Sequence, residues 1–154
     1  MRSGFTLLEI VITVAILAIL VAAASPVLRG VVRKGEIDSF SQNIIFDLKQ
    51  ARARSMSGDG GLKWGLHLVS VTSTRSFYQV FSSPSNYNDQ SSTVQSATYL
   101  PLLIHFTSPA PSSTQDIIFD KIRGTIPAST TIIFSNPVDN QIRTINLNAS
   151  GNIY

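Results

Sequence analysis

The chain has no cysteine, two histidines and one tryptophan, and only 14% of its 154 residues are charged. Without thiols there is no disulfide and no thiolate metal site, and the redox compartment cannot be read from cysteine usage. His67 and His105, the only histidines, show no metal-ligand spacing, and each falls in an expected strand. No HExxH, nucleophile elbow or glycine-rich phosphate loop is present. Asp116 and Asp120 offer a carboxylate pair, but near a strand end they are expected to face water. No catalysis, no cofactor and no metal are expected. The formal charge of +3 is too weak a balance to argue for nucleic acid or an anionic surface. No internal repeat is visible.

What is present is an apolar run from Phe5 to Ala24 with one charge in it, Glu9. About 20 apolar residues suffice to cross a bilayer as a helix. A carboxylate a few residues inside costs roughly 2–3 kcal/mol in lipid and marks a functional site. Two plainer readings compete. Arg2 and Ala22-Ala23-Ala24 outline a secretory signal peptide, yet Glu9 opposes an apolar signal core and the run is longer than such cores. A simple anchor is the other, but Arg29, Arg33 and Lys34 follow the run while only Arg2 precedes it. Counting those charges would leave the C-terminal body in the cytoplasm.

Gly4-Phe5-Thr6-Leu7-Leu8-Glu9, followed by Ile10 to Leu17, resembles the class III signal of type IV pilins and type II secretion pseudopilins. The resemblance implies a leader, residues 1–4, removed by a prepilin peptidase at the Gly4–Phe5 bond. It also implies methylation of the new Phe5 amine, insertion in the bacterial inner membrane as a single pass, and an exported body. Other pilins or pseudopilins are then the partners, met through the N-terminal helix, with nucleic acid not expected. The charge logic is consistent with this. Glu9 would lie about one turn, roughly 6 Å, from the Phe5 amine. In a low-dielectric filament core each needs an opposite charge, and a neighbouring subunit can supply it.

Residues 5–28 form the transmembrane or filament-core half of a long helix, with a kink expected at Pro26. Residues 29–57 form its amphipathic half. There Ile37, Phe40, Ile44, Leu48 and Ala51 recur at three- and four-residue steps, an apolar stripe of helical period. Gly30 and Gly35 weaken the helix between the halves. Arg52 and Arg54 suit the C-terminal end of a helix, and Gly58 supplies a stop. Such a helix from Phe5 to about Ser57 would span roughly 80 Å.

Residues 58–154 form a β-rich body. Asp59-Gly60-Gly61 signals a turn. Trp64, Leu66 and Leu68 alternate with Gly65, His67 and Val69, and with Phe77 to Phe81 they predict a hairpin. Ser82 to Ser96 reads as a polar loop, Tyr99 to Phe106 as a strand with Pro101 at an edge or bulge, and Ser108 to Ser113 as a loop. Further strands are expected at Ile117–Phe119, Thr131–Phe134 and Arg143–Asn148. The class is α+β: a long N-terminal pilin-type helix packed on mostly antiparallel sheets.

Leu48 to Ser55 with Ala51-Arg52, the turn into Trp64-Gly65, Phe119-Asp120…Gly124, and Ile145 to Gly151 are similar to segments of the GspH/FimT family. That likeness implies a sandwich-like pair of sheets and a role as a minor pseudopilin of a type II secretion system. Its alternative is a minor pilin of a type IV pilus, acting in pilus assembly or DNA uptake. DNA-binding members carry an arginine-bearing motif after the closing glycine, where this chain has Asn152-Ile153-Tyr154. Arg123 and Arg143 could add to a basic surface but are expected to be solvated. Some related pseudopilins bind calcium. Asn86, Asn88 and Asp89 offer oxygens but too few carboxylates, and read as an ordinary loop.

Overall fold

The structure, a computed structural model, describes residues 6–154, without the side chains of residues 23–34. The expected kink at Pro26, the weak point at Gly30, and the processing residues Gly4 and Phe5 lie outside that part; Gly35 is described, exposed within the N-terminal helix. Two compact units are present, residues 1–35 and 36–154, and one helix, α1 (Leu7–Ser57), contributes to both.

In the second unit the predicted stripe faces inward: Ile37, Phe40, Ile44, Leu48 and Ala51 are all buried. They pack on two antiparallel sheets. The first has the order β3-β2-β1-β5, with β1 Lys63–Val69, β2 Phe77–Ser83, β3 Thr93–Tyr99 and β5 Thr114–Phe119. The second has the order β4-β6-β7, with β4 His105–Ser108, β6 Thr130–Asn136 and β7 Gln141–Leu147. Phe40 joins them, meeting Tyr78 of β2 edge-on at 6.1 Å and Phe134 of β6 at 5.4 Å. Each fully buried side chain of this size contributes roughly 1.5–3 kcal/mol by leaving water, so the stripe is what makes helix and sheets one core. The Tyr78 hydroxyl donates to Asp47 of the helix at 2.7 Å. Burial, with that hydrogen bond second, raises the Tyr78 phenol well above its ordinary pKa.

The helix stops where expected. Gly58 takes φ 70°, a left-handed conformation glycine adopts without a Cβ penalty. Just before it, Ser55 is fully buried and tethers two strands. Its hydroxyl donates to the Phe119 carbonyl at 3.0 Å and accepts from the Trp64 N–H at 2.7 Å.

Strand positions differ from expectation in one region. β2 runs on to Ser83 and β3 begins at Thr93, so the polar loop shrinks to residues 84–92. β3 hides from pattern reading because it is a sheet edge exposed along nearly its whole length. Its ladder to β2 holds it, not an apolar face. The apolar run from Tyr99 to Phe106 is not one strand: it ends β3 at Tyr99, leaves the ladder over residues 100–104 and enters β4 at His105. Leu100 and Ile104 are buried while Leu102 is exposed, and the Ile104 N–H closes a turn onto the Pro101 carbonyl at 3.0 Å. Pro101, with no N–H to give a ladder, sits in that turn, and pairing resumes at His105.

The chain ends in a clasp. Asn146 and Tyr154 exchange backbone hydrogen bonds of 2.8 and 3.0 Å, which covers part of β7. Arg52, expected only to suit the helix end, reaches across instead: it donates to the Gly124 and Ser150 carbonyls, each at 3.1 Å. Arg54 lies over the Trp64 ring, 4.5 Å from its centre.

Candidate filament-assembly site

Helix α1 begins at Leu7, and Thr6 caps it: its hydroxyl accepts the Glu9 N–H at 3.3 Å. Thr6 and Glu9 stand at the Ser/Thr-x-x-Glu spacing of a capping box. This places Glu9 in the first turn, where the unpaired N–H groups favour a carboxylate. Thr6 is a residue the sequence reading passed over, although this spacing was visible.

Beyond Glu9, every described side chain to Ala22 is apolar except Thr13. The Thr13 hydroxyl donates to the Ile10 carbonyl at 2.9 Å, so that helix satisfies it. The Glu9 carboxylate meets no donor or cation among the described residues. The apolar side chains point all round the helix and are exposed, from Leu7 at 83% to Ile12 at 49%. A helix apolar on all sides is stable only when surrounded by lipid or other protein. Among the described residues no helix is long and apolar enough to cross a membrane. The run counted from Phe5 to Ala24 has its side chains described only over residues 6–22.

The other candidates are dispersed. Asp116 and Asp120 do not form a pair. Asp116 binds His67 Nδ1 at 2.5 Å, and the His67 ring stacks on Tyr87 with centres 3.6 Å apart. Tyr87 donates to Gln79 at 2.6 Å, which pins the 84–92 loop over the first sheet. His67 is thus no lone strand histidine, and Asp116, exposed as expected, also holds that ring. His105 is exposed at the start of β4. Arg143 is engaged by Asp38, with a contact of 2.5 Å, while Arg123 is exposed. They are therefore not an equivalent solvated pair. In the polar loop Asp89 accepts from the Ser85 hydroxyl at 2.7 Å and the Ser91 N–H at 2.9 Å. The first, then the second, holds its carboxyl below the ordinary range.

Asp120 pairs with Lys63 at 2.8 Å. That hydrogen bond first, and the charge of Lys63 after it, lower the Asp120 pKa. A depressed folded-state pKa adds stability above the unfolded value of about 4, and this is lost as pH falls through the folded value. The thermal midpoint of Asp120→Asn should therefore lie below that of the parent at neutral pH. The two should converge as pH falls below about 4. A constant difference across that range would mean the pair does not carry the effect.

Residues 1–25 match the prokaryotic N-terminal methylation motif, the prepilin signal of type IV pilin-like proteins. The motif implies processing by a prepilin peptidase, membrane anchoring, and assembly with other pilins. No curated protein and no solved structure matches the chain. Gly4, Phe5, Glu9 and most of the exposed apolar helix lie inside the matched segment, which points to a type IV pilin-like protein of a pilus or pseudopilus.

Proposed function

We propose that the chain is a minor pseudopilin of the GspH/FimT type, a subunit of the pseudopilus that drives protein export in a type II secretion system. The reading assigns it no catalytic role of its own. It places the protein in the inner membrane by a single pass, with the body on the extracytoplasmic side, until assembly. The observation that carries it is the exposed apolar helix with a carboxylate, Glu9, in its first turn that meets no cation among the described residues. Such a surface wants apolar neighbours all round and one cation at a defined height. Subunits stacked in a filament, each presenting a Phe5 amine, supply both. The two antiparallel sheets packed against residues 36–57 support the subfamily.

The test has two steps. Mass spectrometry of the native protein should find a chain beginning at methylated Phe5, and a retained Met1 would refute the filament reading. Deleting the gene should then reduce export of the secreted enzymes of the host, with recovery on complementation. Normal export with lost pili or lost DNA uptake would transfer the protein to a FimT-like minor pilin.

A further inference from the structure

Ile122 combines a strained backbone with a displayed side chain. It is β-branched yet holds φ 67°, in the left-handed region where glycine or asparagine is the usual occupant. The strain is held in place. The Ile122 N–H donates to the Ser55 carbonyl at 3.1 Å, the Gly124 N–H to the Asp120 carbonyl at 2.9 Å, and the Asp120 N–H to the Thr125 carbonyl at 2.8 Å. The side chain presented by this turn is 78% exposed, and Lys121 and Arg123 on either side are exposed too. A turn meant only to offer cations would be less strained with glycine or asparagine at 122. Isoleucine in that conformation makes sense where its side chain is buried by something else.

The same chain carries a receptor of matching chemistry. Between β5 and residues 126–130 lies a half-open cavity of about 210 Å³, lined by apolar Ile118, Ile126, Pro127 and Ala128 and by polar Asp116, Ser129 and Thr130. The cavity takes a four-carbon side chain. The Asp116 side chain is 34% exposed and is held by His67 through one oxygen, so a carboxylate stands beside the opening. The turn cannot fold into its own cavity, because the hydrogen bonds to Ser55, Asp120 and Thr125 fix it. We infer that Ile122 seats in the 116–130 cavity of a second copy of this chain, with Lys121 or Arg123 meeting Asp116 there. Apolar fit at the centre and opposite charge at the rim are the composition of a specific contact. This contact involves the body alone and does not rest on the filament reading; its failure would leave that reading standing.

The absence of cysteine makes the test clean. Full-length Ile122→Cys and Ala128→Cys chains, differently tagged, are purified in detergent, mixed and mildly oxidised. The disulfide joining one of each should form severalfold faster than that between Ser91→Cys and Ala128→Cys. Equal rates, or disulfides only between two Ile122→Cys chains, overturn the contact. Ile122→Gly separates docking from folding: its thermal midpoint should match or exceed that of the parent while its self-association, measured by sedimentation, is lost. Unchanged self-association in Ile122→Gly overturns the inference. So does retention of duplex DNA by the parent, lost in Lys121→Glu/Arg123→Glu, with no mixed disulfide.

Discussion

Gly151→Ala is expected to destabilise the body by about 2–5 kcal/mol, the sum of a left-handed alanine and an overpacked contact. Gly151 holds φ 77°, and a Cβ there would come 1.9 Å from the Gly124 carbonyl oxygen and 3.0 Å from Arg52 Nε. The carbonyl is backbone, and Arg52 already donates to it, so neither neighbour can give way without opening the clasp. The Gly151 N–H also closes the turn onto the Asn148 carbonyl at 2.8 Å. Against the 5–15 kcal/mol that stabilises a typical domain, such a loss is large. Thermal unfolding followed by circular dichroism measures it. The midpoint should drop sharply, and Arg52→Ala should drop it less, because it removes hydrogen bonds without forcing atoms together. A midpoint for Gly151→Ala within a degree or so of the parent would show that the clasp yields freely.

Glu9→Ala should leave membrane insertion intact and abolish incorporation into filaments. Insertion follows apolar length, and replacing a carboxylate with alanine makes the segment more apolar. Assembly is different. On the proposed reading the mutation strips the partner from a buried amine on the adjacent subunit. Breaking a buried pair in this way costs about 3–5 kcal/mol, a hundredfold or more in association. Thr6→Ala, which removes only the cap, should cost about 1 kcal/mol and have a much milder effect. Membrane fractionation reads the first quantity, and co-purification with the major filament subunit reads the second. Wild-type co-purification of Glu9→Ala would remove the carboxylate from any role in assembly.

Much of this was legible in the chain because it depends on local periodicity. Ile37, Phe40, Ile44, Leu48 and Ala51 were placed inward by helical spacing, and all five are buried. Gly58 is a stop signal in the sequence and takes the left-handed conformation that ends helices. The β1–β2 hairpin followed from alternation. β3 did not, since an exposed edge strand that is mostly Thr, Ser, Gln and Ala, with Val94 and Tyr99 themselves exposed, has no buried apolar face to announce it. The stretch after it misled for the opposite reason: a row of leucines suggests a strand, but Pro101 and the turn it accepts make Leu100 and Ile104 the inward pair.

By itself the sequence determined the two ends of the argument, an apolar helix interrupted by one acid and a second stripe that demands a sheet. Both are properties of residues three or four positions apart, which backbone geometry brings together whatever the rest of the chain does. Only the tertiary structure decided that Arg52 holds the C-terminal clasp and that Asp116 belongs to His67. It alone decided that Arg143 belongs to Asp38, and that Ile122 is forced outward on a strained turn. Those pairings join residues from distant parts of the chain. Charge and spacing name the candidates, but sheet register and the packing of the helix choose among them.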